Sequence, residues 1–258
     1  MWCYHEEDAI KLLKKGRPFS SKEFDLWRDN KNVALIAIEK NPFAIKEISE
    51  RLKDDEQIAI KAIGIYGNTY EYLSERLKNK REIVIKALEH PGEIVKFLPQ
   101  KFYKDREIIL KCIQKNGDIL KHVYENFKND EEIVWEAVRQ KKTSIQYVGK
   151  KFLNNKELFL FALKNLEKNN NLSYGYILDI ADETLKDDIE IVYHALKYDN
   201  WNFRFTLKYA SQRIQKLVEN KSHEETCDYF KLLITSQQLK EQLTNELQKT
   251  ELKPRMKI

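Results

Sequence analysis

Cysteine, proline and glycine are all scarce in this chain, whose 258 residues include three Cys, five Pro and seven Gly. Three cysteines are too sparse for a disulfide-stapled domain, so a cytoplasmic location is expected. Long apolar runs are absent as well. The longest, from Leu158 to Leu163, is far below the roughly 20 residues that span a bilayer. We therefore expect no membrane segment, and the acidic start of the chain does not resemble a secretory signal.

The chain also lacks a strong excess of one charge. It has 46 Lys and Arg against 41 Asp and Glu, which gives a net charge of +5 and a sequence pI of about 8.8. This balance is only mildly basic and falls short of the pI above about 9 that is typical of nucleic-acid-binding domains. Hydrophobic residues make up 42% of the chain, which is enough for a real core.

A repeat of 25 residues runs through most of the sequence. Small residues recur at this spacing, since 62 − 37 = 25 and four further steps are equal. The next small residue, Ala195, comes 33 later because eight residues are inserted near positions 166–175. Aliphatic residues lie four positions before each small residue. The small column consists of Ala37, Ala62, Ala87, Cys112, Ala137, Ala162 and Ala195.

Within a repeat, the apolar spacing predicts two short helices. Ile108, Ile109 and Cys112 lie on one face of a first helix, and Leu120, Val123 and Phe127 follow the period of a half-exposed second helix. We expect Gly67, Gly92 and Gly117 to end the first helices in a left-handed conformation. We also expect capping residues three positions before a Glu that favours the helix dipole. The predicted caps are Asn79, Asn129, Asn154 and Asp187.

Short helices of this kind are stable only when their neighbours cover them, so the repeats must stack. The sequence predicts an all-α fold, an α-solenoid of about six or seven helical hairpins with terminal capping helices. We divide it into a degenerate N-terminal capping hairpin (1–28), regular helical repeats (29–165), a final repeat with the loop insertion (166–210) and C-terminal capping helices (211–258). In the N-terminal hairpin, Phe19, Phe24, Leu26 and Trp27 are expected to close the first layer. The inserted loop is either a binding loop or a surface bulge.

One segment carries a resemblance to a known family. It runs from Asp105 to Val123 and continues from Phe127 to Val138. It resembles the repeat of the domain-of-unknown-function family 4116. The likeness covers residues 29–165 clearly and 177–210 more loosely. The resemblance implies a helical repeat and no established activity, and it supplies no catalytic residues.

No catalytic signature is present in the sequence. It has no phosphate-binding Gly-rich loop, no Gly-x-Ser-x-Gly elbow and no His-Glu-x-x-His. The five histidines form no pair at i and i+4 that would place two metal ligands on one helix face. Cys112 lies in the small column and is expected to be a buried hydrophobic residue. We predict no catalytic residues, no metal site and no cofactor.

Three surface columns are candidate binding sites. Stacked cations can contact a phosphate backbone or an acidic protein, or they can be an ordinary solvated face. Aromatic residues at this spacing can stack on a ligand, or they can pack between repeats. Trp135 and Trp201 are expected to be packing residues. The first cation column is Lys61, Lys86 and Lys111, the second is Arg51, Arg76, Lys101 and Lys151, and the aromatic column is Tyr72, Phe97, His122 and Tyr147.

The leading hypothesis is a non-enzymatic interaction protein that binds a protein partner as a scaffold, adaptor or inhibitor. Its basis is the extended repeat architecture together with the missing catalytic signatures. A nucleic-acid-binding solenoid that uses the cation columns is the alternative. A glycosylase-like enzyme on a helical-repeat scaffold is a third hypothesis, for which no carboxylate stands out.

Overall fold

The computed structural model describes residues 5–90, 93–166, 174–197 and 202–251. Within these ranges the chain forms α-helices and short 3-10 helices, with no β-strand. The all-α repeat fold predicted from the sequence is therefore confirmed. None of the described helices has the length and apolar character needed to cross a bilayer. Gly92, Trp201 and the inserted segment 167–173 lie outside the described residues.

The chain divides into two compact units, Met1–Ile119 and Leu120–Ile258. In the first unit, α1 contacts α2, α2 contacts α4, α4 contacts α6, and α6 contacts α7, so the repeats stack in chain order. The 3-10 helices of this unit are Lys22–Trp27, Pro42–Glu47, Gly67–Tyr72, Val95–Phe97 and Gln100–Lys104. Its α-helices are α1 (Glu6–Lys14), α2 (Lys31–Lys40), α3 (Glu50–Lys53), α4 (Glu56–Ile65), α5 (Glu75–Lys78), α6 (Arg81–Glu89) and α7 (Arg106–Lys115).

The second unit stacks its repeats in the same way: α9 contacts α10, α10 contacts α13, and α13 contacts α16. Its 3-10 helices are Lys142–Tyr147 and Lys150–Phe152, and the helix Gly117–His122 contains the division between the units. Its α-helices are α8 (Glu125–Lys128), α9 (Glu131–Gln140), α10 (Lys156–Lys164), α11 (Tyr174–Ile180), α12 (Glu183–Lys186), α13 (Ile189–Leu196), α14 (Phe203–Leu207), α15 (Gln212–Leu217) and α16 (His223–Glu251). The domain limits predicted at residues 28, 165 and 210 mark where the 25-residue sequence pattern becomes less regular. They stay predictions.

The first helix of each repeat carries the core. Every member of the small column is at most 2% exposed, and the aliphatic residues four positions earlier, from Val33 to Ile191, are also buried. A small side chain at this position lets the helix of the neighbouring repeat approach closely. The 25-residue period is therefore the spacing of a packing contact.

The second half of each repeat differs from the expected single helix. After α2, α4 and α7 comes a short 3-10 helix, such as Gly67–Tyr72, and then a four-residue α-helix, such as α5. After α6 and α9 both short elements are 3-10 helices. Leu73 separates Gly67–Tyr72 from α5 with extended backbone, and Ser74 caps α5 by accepting a hydrogen bond from the amide of Leu77. The apolar spacing fits both arrangements because 3-10 and α-helices place residues i and i+3 on nearly the same face.

The glycine prediction is wrong for the described residues. Gly67 and Gly117 are the first residues of 3-10 helices, and the residues before them, Tyr66 and Asn116, have extended backbone. The first helices end in an extended residue, so no left-handed glycine is needed there. Among the glycines that the structure describes, the left-handed one is Gly16 at the end of α1, with a φ of 87°. There the amide of Arg17 donates to the carbonyl of Leu12, as in a Schellman motif.

The predicted helix caps are one residue too early. Asp130, Asn155 and Asp188 cap α9, α10 and α13, in place of Asn129, Asn154 and Asp187. Each cap accepts a hydrogen bond from a backbone amide at the start of its helix. The cap residue of α6 is Lys80, which makes no side-chain cap, so Asn79 is also misplaced. In α9, α10 and α13 both neighbouring residues are good cap formers, and local sequence does not separate them.

The terminal layers are helical, as the sequence indicates. In the first layer, Phe19 and Phe24 are buried, with ring centroids 5.4 Å apart, whereas Leu26 is 67% exposed and does not close the layer. At the other end, α16 packs against α13 through residues such as Phe230. Farther along α16, Leu239, Leu243 and Leu247 are each more than half exposed.

Candidate interaction surface

The second cation column lies at the contacts between repeats. Arg76 donates from Nε to both carboxylate oxygens of Asp54, at 3.0 and 2.9 Å, and from Nη2 to the Asp54 carbonyl at 2.7 Å. The hydroxyl of Ser74 donates to the same carboxylate, and the Ser74 amide donates to the carbonyl of Lys53. We call this set, Asp54 with Ser74 and Arg76 of the next repeat, the inter-repeat clamp.

The clamp recurs in both units. Arg51 and Ser49 contact Asp29 in the first unit, and Arg213 and Ser211 contact Asp187 in the second. Hydrogen bonds from the serine hydroxyl and then from the arginine hold the pKa of each Asp carboxyl below its usual value. Arg51 and Arg76 are thus neutralised by carboxylates of their own chain. This geometry gives them a role in stacking, and their role in partner binding stays a prediction.

The other two members of that column also contact the preceding repeat. Lys101 donates to the carbonyl of Asn79 at 2.8 Å, and its ammonium lies 4.9 Å from the centre of the Phe102 ring. The backbone amide of Lys151 donates to the Asn129 side chain at 3.1 Å, and its ammonium lies 5.5 Å from the Phe152 ring. The column is therefore a row of contacts between repeats in each unit.

The first cation column lies on the outer faces of α4, α6 and α7. Lys61 is exposed and pairs with Glu39 at 3.1 Å. Lys86 and Lys111 are half-buried, and within the described part of the chain no carboxylate pairs with either of them. Two members of this column thus keep charges available to a ligand.

The aromatic column is neither fully buried nor fully exposed. Tyr72 is half-buried, with its ring 6.4 Å from that of Phe43. Phe97 is half-buried beside the ammonium of Lys96, and in the second unit Tyr147 is half-buried and His122 is exposed. Ion pairs between carboxylates and cations occur in both units, so the surface charge of each unit is mixed. This combination does not resemble a positively charged groove for a polynucleotide.

A surface that sequence analysis missed lies on the outer faces of α9, α10 and α13. The rings of Trp135 and Phe161 meet edge to face at 5.9 Å, and both side chains are half-buried. Tyr193 and His194 of α13 are half-buried too, with ring centroids 5.0 Å apart. We call these four residues, together with half-buried Leu160, the aromatic face.

Cations lie over the rings of the aromatic face. The guanidinium of Arg139 is 5.6 Å from the Trp135 ring, the ammonium of Lys142 is 5.4 Å from the Phe161 ring, and that of Lys197 is 5.9 Å from the Tyr193 ring. Contacts at these distances are favourable because the ring faces are electron-rich. The rings are thereby held in place with part of their surface still open to solvent.

His194 is uncharged at neutral pH. Burial lowers its pKa to about 4, and the nearby ammonium groups of Lys164 and Lys197 contribute to the shift, against a smaller opposing effect of Glu190. Lys164 in turn pairs with Glu190 at 3.1 Å. The imidazole therefore behaves as a polar aromatic side chain on this face.

One column of the repeat marks the aromatic face in the sequence. The position two residues before each small residue is large and apolar in every repeat, yet it is not in the core. The first unit has aliphatic residues there, and the second unit has Trp135, Leu160 and Tyr193. Trp135, interpreted above as a packing residue, is packed only in part. The occupants of the first-unit positions are Leu35, Ile60, Ile85 and Leu110.

The strongest candidate for covalent chemistry is Cys227 on α16. Its Sγ lies 3.6 Å from Nε2 of His223, but the same Nε2 lies 2.8 Å from the carbonyl of Leu196. Burial raises the pKa of the Cys227 thiol, and it raises that of Cys112 to about 12. Both effects oppose formation of a nucleophilic thiolate. Among the described residues, no three His, Cys, Asp or Glu side chains come together as metal ligands.

A known family of protein domains matches the repeat region of the chain. The model of a domain of unknown function, DUF4116, matches residues 30–78, 55–103 and 105–153. Its starting points differ by 25 and 50 residues, which are one and two periods of the repeat. The resemblance predicted from the sequence is confirmed for this part of the chain. No curated protein and no solved structure matches the chain.

Proposed function

We propose that this chain is a non-catalytic helical-repeat protein that binds a protein partner through the aromatic face of its second unit. The observation that supports this most strongly is the contact between Trp135 and Phe161. Two large aromatic side chains lie together on the outer faces of α9 and α10, and both remain partly exposed. The exposed parts of both rings give the face apolar aromatic surface that a partner can cover.

The composition of the face favours a protein as the ligand. Trp, Tyr and Arg are the residues most enriched among those that dominate binding energy at protein interfaces. Trp135, Tyr193 and Arg139 supply all three within one unit. The rings are ordered before binding by contacts with their neighbours, which lowers the entropy lost on association. Scaffold, adaptor and inhibitor roles all use such a surface, and a cytoplasmic location agrees with the buried free thiol of Cys112.

Site-specific photo-crosslinking tests this proposal. A photo-reactive phenylalanine analogue replaces Phe161 in one variant and Phe205 in a control. Phe205 is 45% exposed on α14, outside the aromatic face. In the native host, we expect one specific protein to crosslink at position 161 and not at position 205. The same products at both positions, or none at position 161, would contradict the proposal.

Nucleic-acid binding is the second candidate function. Lys86 and Lys111 support it because no described carboxylate pairs with them, and so do the aromatic rings flanked by cations. It is tested with single-stranded RNA and DNA at two salt concentrations. Affinity that falls steeply with salt and is lost in K61E/K86E/K111E would favour this candidate over the first.

A further inference from the structure

A cavity of about 550 Å³ lies in the first unit, and no residue of the cation columns, the aromatic column or the aromatic face lines it. It is enclosed by the turn after α1, the C-terminal half of α2 and the 3-10 helix Pro42–Glu47. Its volume is within the range of about 300–1,000 Å³ that is usual for small-molecule sites. The turn that forms one wall is fixed by Gly16, whose left-handed backbone allows the chain to reverse at the end of α1.

The floor of the cavity is apolar. Leu13, Phe19, Ala37 and Ala44 line it, and all four side chains are buried. The half-buried ring of Phe43 also lines the cavity, and it is supported by the ring of Tyr66, with centroids 5.5 Å apart. Such a floor suits a flat apolar or aromatic group.

The rim is positively charged. Lys14, Lys40 and Lys46 line it and are exposed, and none of the described residues pairs with any of the three. Arg17, also on the rim, pairs with Glu23 at 3.0 Å. The carboxylate on the rim, Glu47, lies 3.4 Å from the guanidinium of Arg28, which also pairs with Asp25 at 2.8 Å. The three lysines outnumber the carboxylate of Glu47, so the rim carries a net positive charge.

The combination of these rim lysines with an aromatic ring occurs in one layer. One period later, the positions of Lys40, Phe43 and Lys46 hold Ile65, Asn68 and Glu71, since each number rises by 25. Three periods later, lysines return at Lys115 and Lys121, but Asp118 stands in place of the ring. The combination is a local departure from the repeat pattern, and departures of this kind are where functional sites occur.

We propose that this cavity binds a small phosphate monoester that carries an aromatic group, such as a nucleoside monophosphate. The aromatic group lies on the floor against Phe43, and the phosphate contacts the ammonium groups of Lys14, Lys40 and Lys46. A doubly charged phosphate suits three lysines without a described ion-pair partner better than a single carboxylate does. This site is independent of the function proposed for the aromatic face.

Isothermal titration calorimetry with AMP tests the proposal, with adenosine, inorganic phosphate and benzoate as partial probes. We expect AMP to bind more tightly than each partial probe. In K14Q/K40Q/K46Q, AMP binding should weaken by at least about tenfold, because the charges at the phosphate are gone. In F43L, which keeps an apolar floor, we expect AMP affinity to fall toward that of inorganic phosphate.

The matched control is K61Q/K86Q/K111Q, which removes the same number of lysines from another surface of the same unit. It should bind AMP as the unaltered chain does. The lysines of the rim are exposed, so both triple variants are expected to fold, and thermal unfolding checks this. Absence of AMP binding, equal weakening in the two triple variants, or inorganic phosphate binding as tightly as AMP would each overturn the proposal.

Discussion

Arg76 contacts Asp54 of the preceding repeat through three hydrogen bonds, two to the carboxylate and one to the backbone carbonyl. Their separation of 22 residues is three short of the period, so the contact always joins consecutive repeats. Arg51 and Asp29 have the same separation and the same geometry. A pair of side chains thus joins consecutive repeats at these positions.

Replacement of Arg76 by Gln should lower the thermal unfolding midpoint, because Asp54 then loses its bidentate partner. The matched control is K86Q, which removes one positive charge from the adjacent helix at a lysine without a described carboxylate partner. We expect the midpoint of R76Q to fall by a few degrees and that of K86Q to change much less. Equal changes would show that the clamp adds nothing beyond net charge.

The clamp also predicts sensitivity to acid. Hydrogen bonds lower the folded-state pKa of Asp29, Asp54 and Asp187 below the ordinary value for an Asp carboxyl. The stabilisation is therefore present above the unfolded-state pKa and is lost as pH falls from about 4 through the folded-state values. In D29N/D54N/D187N, the denaturation midpoint should depend less on pH in this range than it does in the unaltered chain. An unchanged pH dependence would contradict this assignment.

Gly149 lies where other clamps have serine, and its partner is Asn129. A Cβ added at Gly149 would lie 2.3 Å from Oδ1 of Asn129, whose amide also donates to the carbonyl of Glu125. Gly149→Ala should therefore displace the Asn129 side chain from its hydrogen bonds with the Glu125 carbonyl and the Lys151 amide, which lowers the free energy of unfolding by about 1 kcal/mol. Asn129→Asp combined with Gly149→Ser should recover much of this loss, because it recreates the arrangement of Asp54 and Ser74.

Gly64 is the matched control for that experiment. It lies inside α4, and an added Cβ would meet its nearest neighbour, Nε2 of His90, at 4.0 Å. Gly64→Ala should therefore raise the free energy of unfolding by about 0.5–1 kcal/mol, because Ala is favoured over Gly within helices. Urea denaturation of both variants measures the two opposite effects. Destabilisation by Gly64→Ala would contradict the geometry described for α4.

The sequence was sufficient to predict the repeat, the helical class and the buried small column, since these depend on a period that several columns share. It was insufficient where neighbouring residues compete for one role, as Asn129 and Asp130 do for the helix cap. The equal spacing of Asp29 to Arg51 and Asp54 to Arg76 was available as a signal for the clamp. The partial exposure of Trp135 could not be predicted from the sequence, because a large apolar residue fits both a core and a surface position.

His194 predicts a second pH effect, in a different range. Its folded-state pKa of about 4 lies below the ordinary histidine value of 6.5, so the unfolded state binds the proton more strongly between these values. Stability should therefore fall as pH drops below 6.5, by roughly 1 kcal/mol at pH 5 after allowance for partial exposure. Replacement of His194 by Gln should remove this loss, whereas the same change at exposed His122 should not. Urea denaturation at pH 7 and pH 5 makes the comparison.

Cys112 should be unreactive while the chain is folded. Its thiol is buried with a pKa raised to about 12, so almost no thiolate exists at neutral pH. Mass spectrometry after iodoacetamide treatment should find Cys112 alkylated in urea and not in native buffer. Because other repeats have Ala at this position, Cys112→Ala should change the free energy of unfolding by less than about 1 kcal/mol. Rapid native alkylation would contradict the packing of the small column.

The claim that the aromatic face binds a protein is tested most directly with a purified partner identified by crosslinking at position 161. W135S/F161S is compared with Y176S/F205S, which removes two aromatic residues that are each 45% exposed on α11 and α14. Circular dichroism checks that both variants fold. We predict that W135S/F161S weakens partner affinity by at least about tenfold and that Y176S/F205S leaves it nearly unchanged. Equal affinities of the two folded variants would contradict the account.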